Sequence, residues 1–182
     1  MVNSPPMSHD LAERLKVYVV TSSGLRPGRG HLDVGLAAVA GGATAVQLRA
    51  PDVSDDELLP LARALAVACR ERGVLFVVND RVEVALSAEA DGVHLGQGDE
   101  PERGRERLGP DKVLGVSVAT PEQARAARAT GADYLGVTVW STSTKPESIA
   151  RGLDGLRGVA AATALPVVGI GGIGRASCRE RV

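Results

Sequence analysis

Asp80 and Asp99 are the residues of this sequence best placed to do chemistry together. The stretch that holds them reads V-L-F-V-V-N-D from Val74, then R-V-E-V-A-L-S-A-E-A, then D-G-V-H-L-G-Q-G-D as far as Asp99. The unbroken apolar run from Val74 to Asn79 predicts a buried strand that stops at Asp80. Gly92 to Leu95 predicts a second short strand, and Asp99 follows soon after it. Between them Val82, Val84, Ala85 and Leu86 are offered to a core by a short helix. A strand, a helix and a strand imply parallel pairing, because one helix returns the chain to the same end of the sheet. Both aspartates then lie at the C-terminal ends of neighbouring strands, where open α/β sheets and barrels bind ligands. Two carboxylates converging there, with room for water, suit a hard cation such as Mg²⁺ that also holds phosphate. Local roles compete with this one. Asp80 could cap the following helix, and Asp99 could be a turn residue after Gly98.

The rest of the chain supplies the frame. Strands are expected at Val17 to Thr21, Ala43 to Arg49, Val74 to Asn79, Gly92 to Leu95, Val113 to Ser117, Tyr134 to about Val139, and from Pro166 through V-V-G-I. A helical turn is expected in the lead L-A-E-R-L-K, and a helix from about Leu32 to Val39 that Gly41 and Gly42 stop. Ser54-Asp55-Asp56-Glu57 is a capping box that opens a longer helix. Leu58, Leu61, Leu65 and Cys69 give that helix an apolar stripe, and Pro60 is expected to bend it. The polar link from Gly98 to Lys112 carries a short helix at most. Thr120-Pro121-Glu122-Gln123 starts another helix, and the last helix is expected from about Leu153 to Thr163. A small-residue entry to a strand recurs at Ala43, Ala90 and Ala132, at intervals that fit a quarter of an eight-fold barrel. The expected fold is α/β, a TIM (β/α)8 barrel that ends early, with about seven strands present and strand 8 and the final helices missing. An open doubly wound sheet is the second choice.

Composition narrows the function classes. The chain has 182 residues, enough for one domain with a core. A net charge of −1 offers no field for nucleic acid. Aromatic residues make up only 2 %, which argues against base-stacking surfaces and suits parallel strands under Ala-rich helices. Cys69 and Cys178 suggest no disulfide framework, so a cytoplasmic location is expected. No stretch is long and apolar enough to span a membrane, and the first residues hold no apolar secretion core. Small molecules are the expected partners. The oligomeric state stays open.

Taken in register, the strand ends resemble the thiamine phosphate synthase family of β/α barrels. The matching pieces are Q-L-R from Gln47, V-V-N-D ending at Asp80, H-L-G-Q-G-D from His94 to Asp99, L-G-V-S ending at Ser117, T-S-T-K from Thr142 to Lys145, and V-G-I-G-G-I from Val168 to Ile173. The resemblance implies a transferase of thiamine biosynthesis that forms a C–N bond. Such an enzyme joins a hydroxymethylpyrimidine pyrophosphate to a thiazole phosphate, giving thiamine phosphate and pyrophosphate. It implies Mg²⁺ on Asp80 and Asp99. It puts Gln47, Leu48, Arg49, Asn79, Ser117 and Lys145 at the pyrimidine pyrophosphate, with Arg49, Ser117 and Lys145 as the catalytic groups. Thr142, Ser143, Thr144 and Gly172 would receive the thiazole phosphate. Charge that builds on a departing pyrophosphate calls for Mg²⁺ and cations rather than a nucleophilic side chain. Hydroxyls and glycine amides suit a phosphate because they donate without bulk.

Three departures from the family pattern shape further expectations. Ala50-Pro51 stands where the family carries Glu-Lys, so one cation is missing. Arg26 or Arg29 in the first loop is a candidate replacement, and Arg26→Ala should raise the KM for the pyrophosphate substrate. The loop after strand 6 reads V-T-V-W where the family has Gly-Pro before its hydroxyls. Ala119 occupies the place where the related thiazole tautomerase has a histidine, which disfavours tautomerase; a non-catalytic phosphate-binding barrel is the other alternative. Among the histidines, His94 is expected to be packed and hydrogen-bonded rather than a base. The division expected along the chain is a lead at 1–16, the barrel at 17–172, and a foreign tail at 173–182 that reads like a translated sequencing adaptor. On that reading the chain as written is a fragment, poorly folded and inactive, with unpaired strand edges.

Overall fold

In a computed structural model of the chain, the structure describes residues 7–22, 28–141 and 149–173. Helix α1 (Met7–Arg14) leads into β1 (Tyr18–Val20), α2 (His31–Ala40), β2 (Ala45–Leu48), α3 (Asp55–Glu71) and β3 (Leu75–Asn79). Then come α4 (Val82–Ser87), β4 (Gly92–Leu95), α5 (Pro101–Leu108), β5 (Val113–Ser117), α6 (Pro121–Ala127), β6 (Tyr134–Thr138), α7 (Gly152–Ala161) and β7 (Val167–Ile170). The seven strands form one parallel sheet in the order β1-β2-β3-β4-β5-β6-β7. The expected strands are all present, with β1 and β2 trimmed at both ends.

Local chemistry explains the helices. Ser54 and Glu57 form the reciprocal box expected of them, with the Glu57 amide on the Ser54 hydroxyl and the Ser54 amide on the Glu57 carboxylate. Those bonds hold the Glu57 carboxyl below its ordinary range. Pro60 sits inside α3 without ending it. Its ring faces solvent, so the carbonyl whose helical partner it removes stays wet. The polar link holds a short helix, as expected, the eight-residue α5, opened by Pro101 in its first turn.

The strands divide their side chains by alternation. Val46, Leu48, Phe76, Val78, Val93, Leu95, Leu114, Val116, Leu135 and Val137 face the helices and share a core with Leu58, Ala62 and Leu65 of α3. Ala45, Leu75, Val77 and Tyr134 point the other way and pack on Leu11 and Leu15. Helix α1 and the residue after it thus floor the interior. The Tyr18 and Tyr134 rings, on β1 and β6, have centroids 6.0 Å apart. In a flat sheet, five strand spacings would separate β1 and β6 by roughly 24 Å. The sheet is therefore rolled into a barrel, and the sequential strand order has no reversal of the kind an open doubly wound sheet needs. Among the described residues, β1 and β7 each pair on one side only.

Candidate active site at the C-terminal ends of the strands

The inward register of β2 to β5 ends in polar side chains. Gln47 closes the interior side of β2, Asn79 of β3, His94 of β4 and Ser117 of β5, with Asn79 paired to His94 and Ser117 to Gly136. Asp80 follows β3 directly. Its amide donates to the His94 carbonyl at 2.9 Å, and its φ is 61°, the left-handed region that, after glycine, Asn and Asp tolerate best. The Asn79 amide group donates to the Asp80 carboxylate. Asp99 closes a turn after β4, where its Oδ2 accepts from the Gly96 amide at 2.6 Å.

Gly96 is the place where the two carboxylates meet. A Cβ built there would lie 3.2 Å from Asp99 Oδ2 and 3.9 Å from Asp80 Oδ1. The bare backbone leaves a cradle with an acidic oxygen on each side. Among the described residues no group of three or more His, Cys, Asp or Glu gathers to cage a metal. Two carboxylates in the open fit Mg²⁺, which keeps water and takes phosphate oxygens for the remainder of its shell. They do not fit Zn²⁺, which needs three or four protein ligands.

Arg49 follows β2, half-buried, and its amide donates to Thr21 Oγ1 at 3.1 Å. Thr21 Oγ1 also lies 3.2 Å from His31 Nδ1, so the end of β1 and the start of α2 together fix the backbone at Arg49. Burial lowers the pKa of His31. The Leu48 side chain is fully buried in the helix-side core, because alternation turns it away from its neighbours Gln47 and Arg49, so a ligand contact there would fall to its backbone. Gly172 has φ 62°, and a Cβ there would come within 2.9 Å of the Trp140 Cβ and 3.2 Å of the Ser141 carbonyl. That contact brings the end of β7 against the loop after β6. Thr142, Ser143, Thr144 and Lys145 lie outside the described residues, as does Arg26. Arg29 is exposed just ahead of α2.

His94 is buried and hydrogen-bonded as expected, with Nε2 2.9 Å from Ser117 Oγ and Nδ1 3.0 Å from the hydroxyl of Tyr134, which with Tyr18 is a site residue the motifs did not flag. The Tyr134 hydroxyl lies 2.8 Å from that of Tyr18, and Gln47 Nε2 donates to the Tyr18 hydroxyl at 2.9 Å. Burial raises the pKa of both phenols. The readable signal was two tyrosines in a chain with so few aromatics, both at inward strand positions.

The family model described as thiamine monophosphate synthase matches residues 17–182. The chain belongs to this family. It is 48 % identical over 160 residues to the thiamine-phosphate synthase of Moorella thermoacetica, a match covering 86 % of this chain and 76 % of that one. It is 48 % identical over 164 residues to a thiamine biosynthetic bifunctional enzyme of Arabidopsis thaliana, covering 88 % of this chain but 31 % of the plant protein. The solved thiamine phosphate pyrophosphorylase of Pyrococcus furiosus superposes with a TM-score of 0.84 at 39 % identity, over 93 % of this chain and 81 % of that one. The family's barrel is thus the fold seen here.

Proposed function

We propose that the chain is a thiamine phosphate synthase. It joins 4-amino-2-methyl-5-hydroxymethylpyrimidine pyrophosphate to hydroxyethylthiazole phosphate and releases pyrophosphate. The observation that carries this reading is the meeting of Asp80 and Asp99 over Gly96, at the strand ends that also present Gln47, Asn79 and Ser117. Asp80 and Asp99 would hold Mg²⁺, which when bound neutralises charge on the diphosphate. Arg49 adds a cation at the same rim, held in place through Thr21. As the C–O bond to pyrophosphate breaks, the electron pair leaves with the pyrophosphate and positive charge remains on the pyrimidine methylene. The thiazole nitrogen then donates its lone pair to that carbon. Fixed cations aimed at the leaving group favour this charge separation without reorganising during the step. Gln47, Asn79 and Ser117 orient the pyrimidine. Lys145 supplies a second cation, and Thr142, Ser143, Thr144 and the Gly172 amide hold the thiazole phosphate. The tautomerase reading lacks its histidine, since Ala119 stands there and its amide is bound to Gln123 Oε1. A cytoplasmic setting suits the free, buried thiol of Cys69. Among the described residues no helix is long and apolar enough to cross a membrane.

The test is product formation by the 182-residue chain, and turnover would also refute the expectation that the chain as written is inactive. Thiamine phosphate and pyrophosphate should appear in equal amounts, only with both substrates and Mg²⁺ present. Pyrophosphate release without the C–N product, or turnover indifferent to chelation, would sink the assignment.

A further inference from the structure

Four hydrogen bonds run end to end through the barrel interior. They go from Gln47 Nε2 to the Tyr18 hydroxyl, from Tyr18 to Tyr134, from Tyr134 to His94 Nδ1, and from His94 Nε2 to Ser117 Oγ. The string leaves β2, crosses from β1 to β6, and returns through β4 to β5. Two glycines make room for it. A Cβ at Gly115 would fall 2.2 Å from the Tyr134 Cζ and 2.5 Å from His94 Nδ1, and one at Gly136 would fall 2.9 Å from His94 Cε1. A side chain at Gly115 would displace both Tyr134 and His94, and one at Gly136 would displace His94.

With Gln47 Nε2 as the donor at one end, a single assignment of protons makes all four of these bonds. Each neutral phenol carries one proton, and so does a neutral imidazole. With the Gln47 amide donating into Tyr18, the Tyr18 proton serves Tyr134. The Tyr134 proton then serves His94 Nδ1, which leaves the imidazole proton on Nε2 to serve Ser117 Oγ. The opposite sense would require Gln47 to accept from Tyr18. An imidazolium would donate to Tyr134 and collide with the proton that Tyr134 already directs at it. Burial keeps both phenols protonated at neutral pH.

We propose that Tyr18, Tyr134 and His94 are positioning residues. Together they form a one-way relay that holds His94 as the Nε2–H tautomer, makes Ser117 Oγ an acceptor towards His94, and so keeps the Ser117 proton for the ligand at the strand ends. The relay ties Ser117 on β5 to Gln47 on β2, so the two strand ends present a matched polarity. That the ligand is the pyrimidine pyrophosphate rests on the function proposed above; the relay itself does not.

The test begins with the uniformly ¹⁵N-labelled 182-residue chain, without substrate, at neutral pH. Long-range ¹H–¹⁵N correlations should place the His94 proton on Nε2, with Nδ1 an unprotonated acceptor. In Tyr134→Phe the Nδ1 resonance should move downfield, towards that of a free pyridine-type nitrogen. A proton on Nδ1, a doubly protonated His94, or an Nδ1 resonance that stays put in Tyr134→Phe overturns the relay. If Tyr134→Phe does not fold, the tautomer of the unaltered chain decides alone. In the kinetic arm, Tyr134→Phe should raise the KM for the pyrimidine pyrophosphate by about 3- to 10-fold, the worth of one oriented hydrogen bond, and leave the KM for the thiazole phosphate alone. A chain with the expected tautomer but no turnover leaves the relay standing and counts against the proposed function.

Discussion

Asp80 and Gly96 do complementary work at the residue scale. Asp80 accepts a left-handed backbone, and Gly96 leaves the space into which Asp80 and Asp99 turn their oxygens. Asp80→Asn keeps a side chain that tolerates this backbone. It should leave Tm nearly unchanged while raising the Mg²⁺ needed for half-maximal activity by about tenfold or more, the scale of one charge-assisted contact. Gly96→Ala should do the same more weakly with both carboxylates intact, because its methyl presses on Asp99 Oδ2 at 3.2 Å. Activity titrated with Mg²⁺ checks both variants. His31 carries a separate prediction. Burial lowers its pKa in the folded chain below the ordinary 6.5. Between the two values the unfolded chain binds more protons, so stability is full above pH 6.5 and is lost as the pH falls through the lowered value. Tm followed across that window should fall less steeply in His31→Gln than in the parent.

At the scale of elements, two devices hold the frame around the site. Ser54 caps α3 at the end nearest the ligand. Ser54→Ala should lose about 1 kcal/mol, roughly 2–4 °C in Tm for a chain of this length, readable by calorimetry. At the opposite end of the barrel Arg105 of α5 donates to the carbonyls of Gly109, Lys112 and Gly131 and to Asp133 Oδ2. A lysine cannot reproduce that planar fork. Arg105→Lys should lower stability by about 1–3 kcal/mol and move the urea midpoint down with an unchanged slope. The loop after β2, where Ala50-Pro51 departs from the family pattern, is held as a unit. The Arg81 guanidinium donates to the Val53, Pro51 and Ala50 carbonyls and to Asp55 Oδ1. Ala50 is buried and Pro51 exposed, so this segment is anchored by backbone contacts rather than by a cation of its own.

For the whole molecule, protection should grade across the sheet. Strands β2, β3 and β4 are almost wholly buried, whereas every residue of β1 and β7 is only half-buried. β1 and β7 also have a strand neighbour on one side only among the described residues. Amides of β3 and β4 should therefore exchange only through global unfolding, and those of β7 through smaller openings. Hydrogen exchange with mass spectrometry reads this directly. Uniform protection from β1 to β7 would contradict it.

Much of this was legible along the chain because it depends on neighbours in sequence. The apolar run ending at Asn79 made β3, the Ser54–Glu57 spacing made the start of α3, and the strand–helix alternation made the sheet parallel. These follow from backbone periodicity and local hydrogen bonding, which sequence carries. Other features needed the closed shape. His94 becomes part of the site only because the rolled sheet brings Tyr134, Tyr18 and Ser117 around it. Contacts between strands distant in sequence are set by curvature of the sheet, and no local pattern of residues encodes that distance.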